Sequence, residues 1–203
     1  MSQYFKIHPV NPQLRLIRKA VDIVRSGGVI VYPTDSTYAL GCHMEDKLAL
    51  NRIIQIRRLD EKHHFTLICR DLSEVSNYAR FETSMYRLLK SNTPGPFTFI
   101  LRATKEVPRR LMHPKQKTVG LRVPDHPIAH ALLQDLGEAM MTTTLLLPGD
   151  EYPLNDGEII QEKLGSQVDL VIDGDACGTT LTTLVDLTGE VPVLLREGKR
   201  KWE

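Results

Sequence analysis

Apolar positions along the chain follow two different spacings, and each change of spacing marks a new element. After Leu14, the residues Ile17, Ala20, Val21 and Val24 recur three or four apart, which gathers them on one face of a helix. Asn11 followed by Pro12 supplies a cap and a proline for the first helical position, and Gly27-Gly28 stops the run. Val29-Ile30-Val31-Tyr32, closed by Pro33, is a continuous β-branched run and predicts a strand buried on both faces. Helical spacing returns across residues 46–58 through Leu48, Leu50, Ile53 and Ile54.

Further along, short apolar runs suited to strands fall at residues 65–69, 97–101, 118–123, 139–144, 168–172, 181–187 and 193–196. Helical patterns at 84–90, 127–136 and 156–164 separate several of them. Such alternation predicts an α/β fold, a mixed sheet covered by helices. Residues 148–157 read as one polar loop rather than a linker. With 203 residues, 41% of them apolar, a single domain over 1–203 with one sizeable core is expected.

Charge changes this picture little. Lys and Arg number 26 against 25 Asp and Glu, so any anion site must come from local clustering rather than global excess. Cys42, Cys69 and Cys177 form no CxxC pair, which points to reduced core thiols rather than a zinc site or a disulfide framework. The N-terminus lacks a cationic start followed by an apolar run, and no apolar stretch reaches about 18 residues. A cytoplasmic protein without membrane association is expected.

Candidate chemistry lies where polar residues meet apolar strands. Thr34, Ser36 and Thr37 follow a buried strand, at the sheet end where α/β proteins bind ligands, and their hydroxyls suit phosphate or carboxylate oxygens. A hydroxyl turn that merely caps the loop reads equally well from the same residues. Arg57, Arg58 and Lys62, with His63 and His64, follow a helix; they suit a triphosphate or RNA backbone, or else a solvated charged face. The two histidines show no metal-ligand spacing. Arg122 sits inside an apolar strand and calls for an anionic partner, a ligand or a buried carboxylate. Thr142 and Thr144 end one strand, and Thr182 with Arg196 marks a strand pair able to close over phosphate or to form a solvated edge. No GxSxG, HExxH or P-loop lysine motif occurs, so chemistry here would rest on positioning and charge neutralisation.

Taken in order, Gly27 through Gly41, then Pro94-Gly95-Pro96-Phe97-Thr98, Arg122-Val123-Pro124, Thr183-Leu184-Val185-Asp186-Leu187 and Leu195-Arg196-Glu197-Gly198 resemble the YrdC/YciO family. Phe65-Thr66-Leu67-Ile68-Cys69-Arg70-Asp71-Leu72 and Arg109-Arg110-Leu111 resemble its YciO branch most. The resemblance implies a twisted, open, YrdC/RibB-like sheet with a concave basic cleft. It also implies an enzyme class that joins threonine, bicarbonate and ATP into threonylcarbamoyl-adenylate for tRNA modification, and an association with double-stranded RNA or tRNA. By the same resemblance Thr34 and Thr37 match the hydroxyls of a threonine and carbonate pocket and Tyr38 its aromatic wall, while Arg122, Thr182 and Arg196 match positions that hold the nucleotide.

Two positions depart from the synthases. Their Lys-x-Arg pair falls on Arg57 and Leu59, and their Ser-x-Asn motif on Thr144-Leu145-Leu146. The expectation is therefore ATP, AMP or RNA as partner, with weak or absent synthesis. No tightly bound cofactor is expected, Mg²⁺ only accompanying ATP, and the chain suits a monomer or a dimer.

Overall fold

A computed structural model describes residues 2–60 and 63–202. The elements run β1 (Gln3–Lys6), α1 (Leu14–Arg25), β2 (Ile30–Pro33), β3 (Tyr38–His43), α2 (Lys47–Arg57), β4 (Thr66–Ile68), α3 (Leu72–Tyr78), β5 (Ala79–Arg80) and α4 (Thr83–Asn92). They continue with β6 (Phe97–Ala103), a 3₁₀ turn (Arg109–Leu111), β7 (Thr118–Arg122), α5 (Pro127–Leu136), β8 (Met140–Thr144), α6 (Gly157–Leu164), β9 (Leu170–Asp173), β10 (Thr183–Asp186) and β11 (Val193–Arg196).

Among the described residues the strands form one sheet in the order β1-β9-β2-β3-β8-β4-β7-β6-β10-β11, with β5 added beside β6. Pairing is mixed: β1 with β9, β9 with β2, β4 with β7 and β6 with β10 are parallel, and the other neighbours are antiparallel. The sheet is mixed, as the alternation predicts, and open, as the resemblance implies.

Strand alternation sends successive side chains to opposite faces. Val29 and Val31 of the β2 region join Tyr38, Leu40, Leu67, Val119, Leu121, Phe97, Phe99 and Val171 in one core, closed by α2, α3, α4 and α6. Ile30 and Tyr32 join Leu170 and Ile172 in a second core on the other face, closed by Ile17, Ala20, Val21 and Val24 of α1 and by Ile128, Ala129, Leu132 and Leu133 of α5.

Local signals explain most boundaries. Asp46 caps α2 by accepting from Ala49 N at 2.8 Å, and Asp156 caps α6 by accepting from Glu158 N at 2.9 Å. Gly27, at φ +83°, ends α1 in the left-handed region that glycine enters freely. The entry to α1 differs from expectation. Gln13, not Asn11, is the cap, because His8 Nδ1 accepts from Asn11 N at 3.1 Å and holds that residue in the preceding loop.

Candidate functional site

The second core covers only part of the sheet. On the α1/α5 face it reaches Met140 of β8 and Ile68 of β4; beyond them the same face turns polar. Thr142 and Thr144 of β8, Thr66 of β4, Gly120 and Arg122 of β7, Thr98 and Ile100 of β6, and Thr182 and Leu184 at β10 line a cavity of about 370 Å³. Cross-strand registry aligns its floor: Gly41 lies opposite Thr142, Thr142 opposite Thr66, Thr66 opposite Gly120, and Gly120 opposite Ile100. Gly120 is required there, since a Cβ would stand 2.6 Å from the Thr66 hydroxyl and 3.1 Å from the Phe65 carbonyl oxygen.

One wall is built on Arg122, which is 7% exposed. Its guanidinium pairs with Asp35 and donates to Ser36 Oγ at 3.0 Å and Thr34 Oγ1 at 3.2 Å. Asp35 also accepts from Asp125 N at 3.0 Å, and Lys199 donates to its carbonyl oxygen. The Thr34 hydroxyl donates to the Thr37 carbonyl at 2.6 Å and accepts from Ser36 N at 3.2 Å. Thr34 thus closes the turn between β2 and β3, while Thr37 lines the cavity. The capping reading of this hydroxyl run describes Thr34, and Thr37 is the residue of the run that reaches the cavity.

On the opposite wall Arg196 donates from Nε to the Thr182 carbonyl at 3.0 Å, and the Thr182 and Thr98 hydroxyls share a hydrogen bond of 2.8 Å. The third cationic side chain, Arg57, comes from the last turn of α2. Burial moves both Arg57 and Arg196 below the ordinary guanidinium range, which leaves them charged because that range starts so high. His63 and His64 complete this side. Burial first, then Arg57 and His64, holds His63 down at about 4, and burial followed by His113 lowers His64.

Five buried side-chain nitrogen or oxygen atoms lack a hydrogen-bond partner among the described residues, and three of them belong to cavity side chains: Arg57 Nε, His64 Nδ1 and Arg122 Nε. Arg57, His64 and Arg122 thus line the cavity while one nitrogen of each is buried against the protein without a partner.

Of the residues singled out in the sequence, the cavity collects Thr37, Arg57, Arg122, Thr142, Thr144, Thr182 and Arg196. Thr34 stands just behind Arg122. Tyr38 is placed differently from the expected aromatic wall. It opens β3, whose alternation turns Ala39 toward the cavity and Tyr38 into the opposite core, where its hydroxyl donates to the Asp175 carbonyl at 2.8 Å. Arg58, in a left-handed conformation at the end of α2, does not line the cavity, and Lys62 lies outside the described residues. Leu146 lines it and Leu59 does not.

Thr66 and Thr98 line the cavity without having been expected there, although a polar residue inside an apolar strand was a signal; His63 and His64, named in the sequence only beside the Arg57 cluster, line it as well. Cys42 and Cys69 are buried and Cys177 half-buried, all with free thiols. Burial pushes Cys42 up to about 12 and Cys177 up to about 11, as inert core thiols require. No described helix is long and apolar enough to cross a membrane.

Residues 22–198 match the Sua5/YciO/YrdC family profile, described as telomere recombination. The uncharacterised protein YciO of Escherichia coli K12 is 59% identical over 198 residues, covering 98% of this chain and 96% of that one. Its crystal structure superimposes with a TM-score of 0.96, covering 99% of this chain and 98% of the other. A threonylcarbamoyl-AMP synthase of Nitrosococcus oceani is 33% identical over 159 residues, 78% of this chain and 85% of that one. Sua5 from P. abyssi, crystallised with L-threonine, shares the fold at a TM-score of 0.88 and 24% identity, over 97% of this chain and 58% of its own.

Proposed function

The chain belongs to the Sua5/YciO/YrdC family, and from that premise we propose that it binds a nucleotide, ATP or AMP, in the threonine-lined cavity, with threonylcarbamoyl-adenylate synthesis weak or lost. The observation that carries this is the convergence of Arg57, Arg122 and Arg196 with the threonine side chains on one hollow. A volume of about 370 Å³ suits a small molecule, at the lower end of the usual range for ligand pockets. Arg57 and Arg196 supply charge for phosphate, the hydroxyls of Thr37, Thr142, Thr144 and Thr182 supply hydrogen bonds, and Ile100, Leu146, Leu181 and Leu184 supply apolar surface for the rest of the ligand.

Weak synthesis follows from Leu146. It lines the cavity where the family's enzymes carry an asparagine, and a leucine neither donates nor accepts. Leu59, in place of an arginine, adds no cation. Each lost ligand contact costs on the order of 1 to 3 kcal/mol, and every 1.4 kcal/mol is about tenfold in rate, so two losses lower synthesis by roughly two to four orders of magnitude. No three His, Cys, Asp or Glu converge to hold a metal among the described residues. Magnesium would arrive on the ATP phosphates, carrying most of its own water.

Calorimetry with AMP, ATP, threonine and a short RNA duplex tests the proposal. AMP or ATP should bind to the wild type and at least tenfold more weakly to Arg196→Gln, with a shallower salt dependence than a duplex shows. Binding of the duplex alone, falling steeply with salt, would replace this reading by an RNA-binding one. Pyrophosphate release at a rate near that of a known synthase under matched conditions overturns the claim of weak synthesis.

A further inference from the structure

On the α2 side of the cavity, two histidines stand beside Arg57, and their surroundings carry the nucleotide reading one step further. We propose that His64, braced by His113, contacts the ligand and takes up a proton when a phosphate group binds, which makes it a specificity-determining residue for phosphorylated ligands. This rests on the nucleotide reading above and adds to it a residue and a proton.

Three observations converge on His64. Its side chain lines the cavity. Its ring stacks on that of His113, centroids 4.8 Å apart and planes 18° from parallel, so an element outside the cavity fixes the orientation of the imidazole. Its Nδ1 is buried and meets no hydrogen-bonding group among the described residues. His63 beside it is committed elsewhere: its ring packs edge-on to Phe65 at 5.3 Å, and it bears the stronger opposition of Arg57.

The charges facing His64 decide the sign. His113 from the β6–β7 connection opposes its protonation, Asp186 of β10 favours it, and His63 and Arg57 stand on the α2 side. Burial and His113 therefore keep the free imidazole neutral near pH 7. A bound phosphate reverses the balance, because an anion beside the ring favours imidazolium. The midpoint of His64 is thus higher in the complex than in the free protein. Proton uptake accompanies binding, and affinity rises as pH falls through the bound-state midpoint.

AMP affinities of wild type, His64→Gln and His64→Ala, measured by calorimetry between pH 5.5 and 8 in two buffers of different ionisation enthalpy, test this directly. The AMP phosphate itself titrates near about 6, so the readout is the ratio of variant to wild-type Kd, in which that ionisation cancels. Glutamine keeps a neutral hydrogen-bonding group and cannot titrate. It should bind within about twofold of wild type at pH 8 and roughly tenfold more weakly at pH 5.5, with less proton uptake. Alanine should be weaker throughout.

Proton NMR of the His64 ring in wild type supplies a measurement free of any folding defect: AMP should move its titration to higher pH. A pH-independent ratio together with an unmoved His64 titration overturns this inference and leaves nucleotide binding standing. Failure of the wild type to bind AMP or ATP at any pH overturns the nucleotide reading and this inference with it.

Discussion

The α1/α5 face of the sheet is two surfaces in one. Across β1, β9 and β2 it carries Ile7, Leu170, Ile172, Ile30 and Tyr32, sealed by two helices. Across β8, β4, β7, β6 and β10 the equivalent pleats carry Thr142, Thr144, Thr66, Arg122, Thr98 and Thr182, lining a hollow. Backbone pairing is continuous between the halves, through Gly41 opposite Thr142. The change is purely one of side chains. Where apolar groups can be buried the sheet gains stability, and where they give way to hydroxyls and guanidinium groups stability is traded for a surface that can bind.

The largest effect that separates the halves should come from Asp35→Asn. Arg122 and the Asp35 carboxylate are almost fully buried together, and removing one partner of a buried pair costs about 3 to 5 kcal/mol by denaturant unfolding. Because Arg122 also lines the cavity, saturating AMP should restore more stability to this variant than to wild type. Equal stabilisation of both proteins would show that the ligand does not reach Arg122.

Next comes Gly120→Ala, which forces a methyl against Thr66 and a backbone oxygen in the cavity floor. Its cost should be about 1 to 3 kcal/mol, with AMP binding weakened in the same protein. Ile172→Val, in the sealed half, should cost about 0.5 to 1.5 kcal/mol and leave AMP affinity unchanged. An altered affinity there would mean that the halves are coupled.

The same division governs what could be seen in the sequence. β2 was legible because both of its faces are buried, so Val29 to Tyr32 form one unbroken run. β3 was not. Its first residue follows the hydroxyls of Thr34, Ser36 and Thr37, which read as a ligand loop, and Gly41 interrupts its apolar run, so the hairpin partner of β2 was hidden. β1 is four residues with polar ends, and α3 mixes Ser, Glu and Asn into one short turn pair, too little pattern for either spacing to show. Arg122 stood out because a charged group inside an apolar strand requires a reason, and Thr142 and Thr182 because they stand at strand ends. His64 did not, since its role depends on His113, forty-nine residues away in the chain, and no spacing rule connects them.

Thr144→Val is the smallest change and the sharpest test of the division. Thr144 ends β8 opposite Ala39 and lines the cavity half-buried. Valine keeps the branched shape that a strand favours and removes only the hydroxyl. If that hydroxyl serves the fold, its loss should lower stability; if it serves a ligand, stability should stay within about 0.5 kcal/mol of wild type while AMP binds several-fold more weakly. The division predicts the second outcome. Measured beside Ile172→Val, it should give the mirror image: one substitution reduces stability and spares binding, and the other spares stability and reduces binding. A stability loss at Thr144 comparable to that at Ile172, with AMP affinity intact, would place this part of the cavity wall with the sealed half.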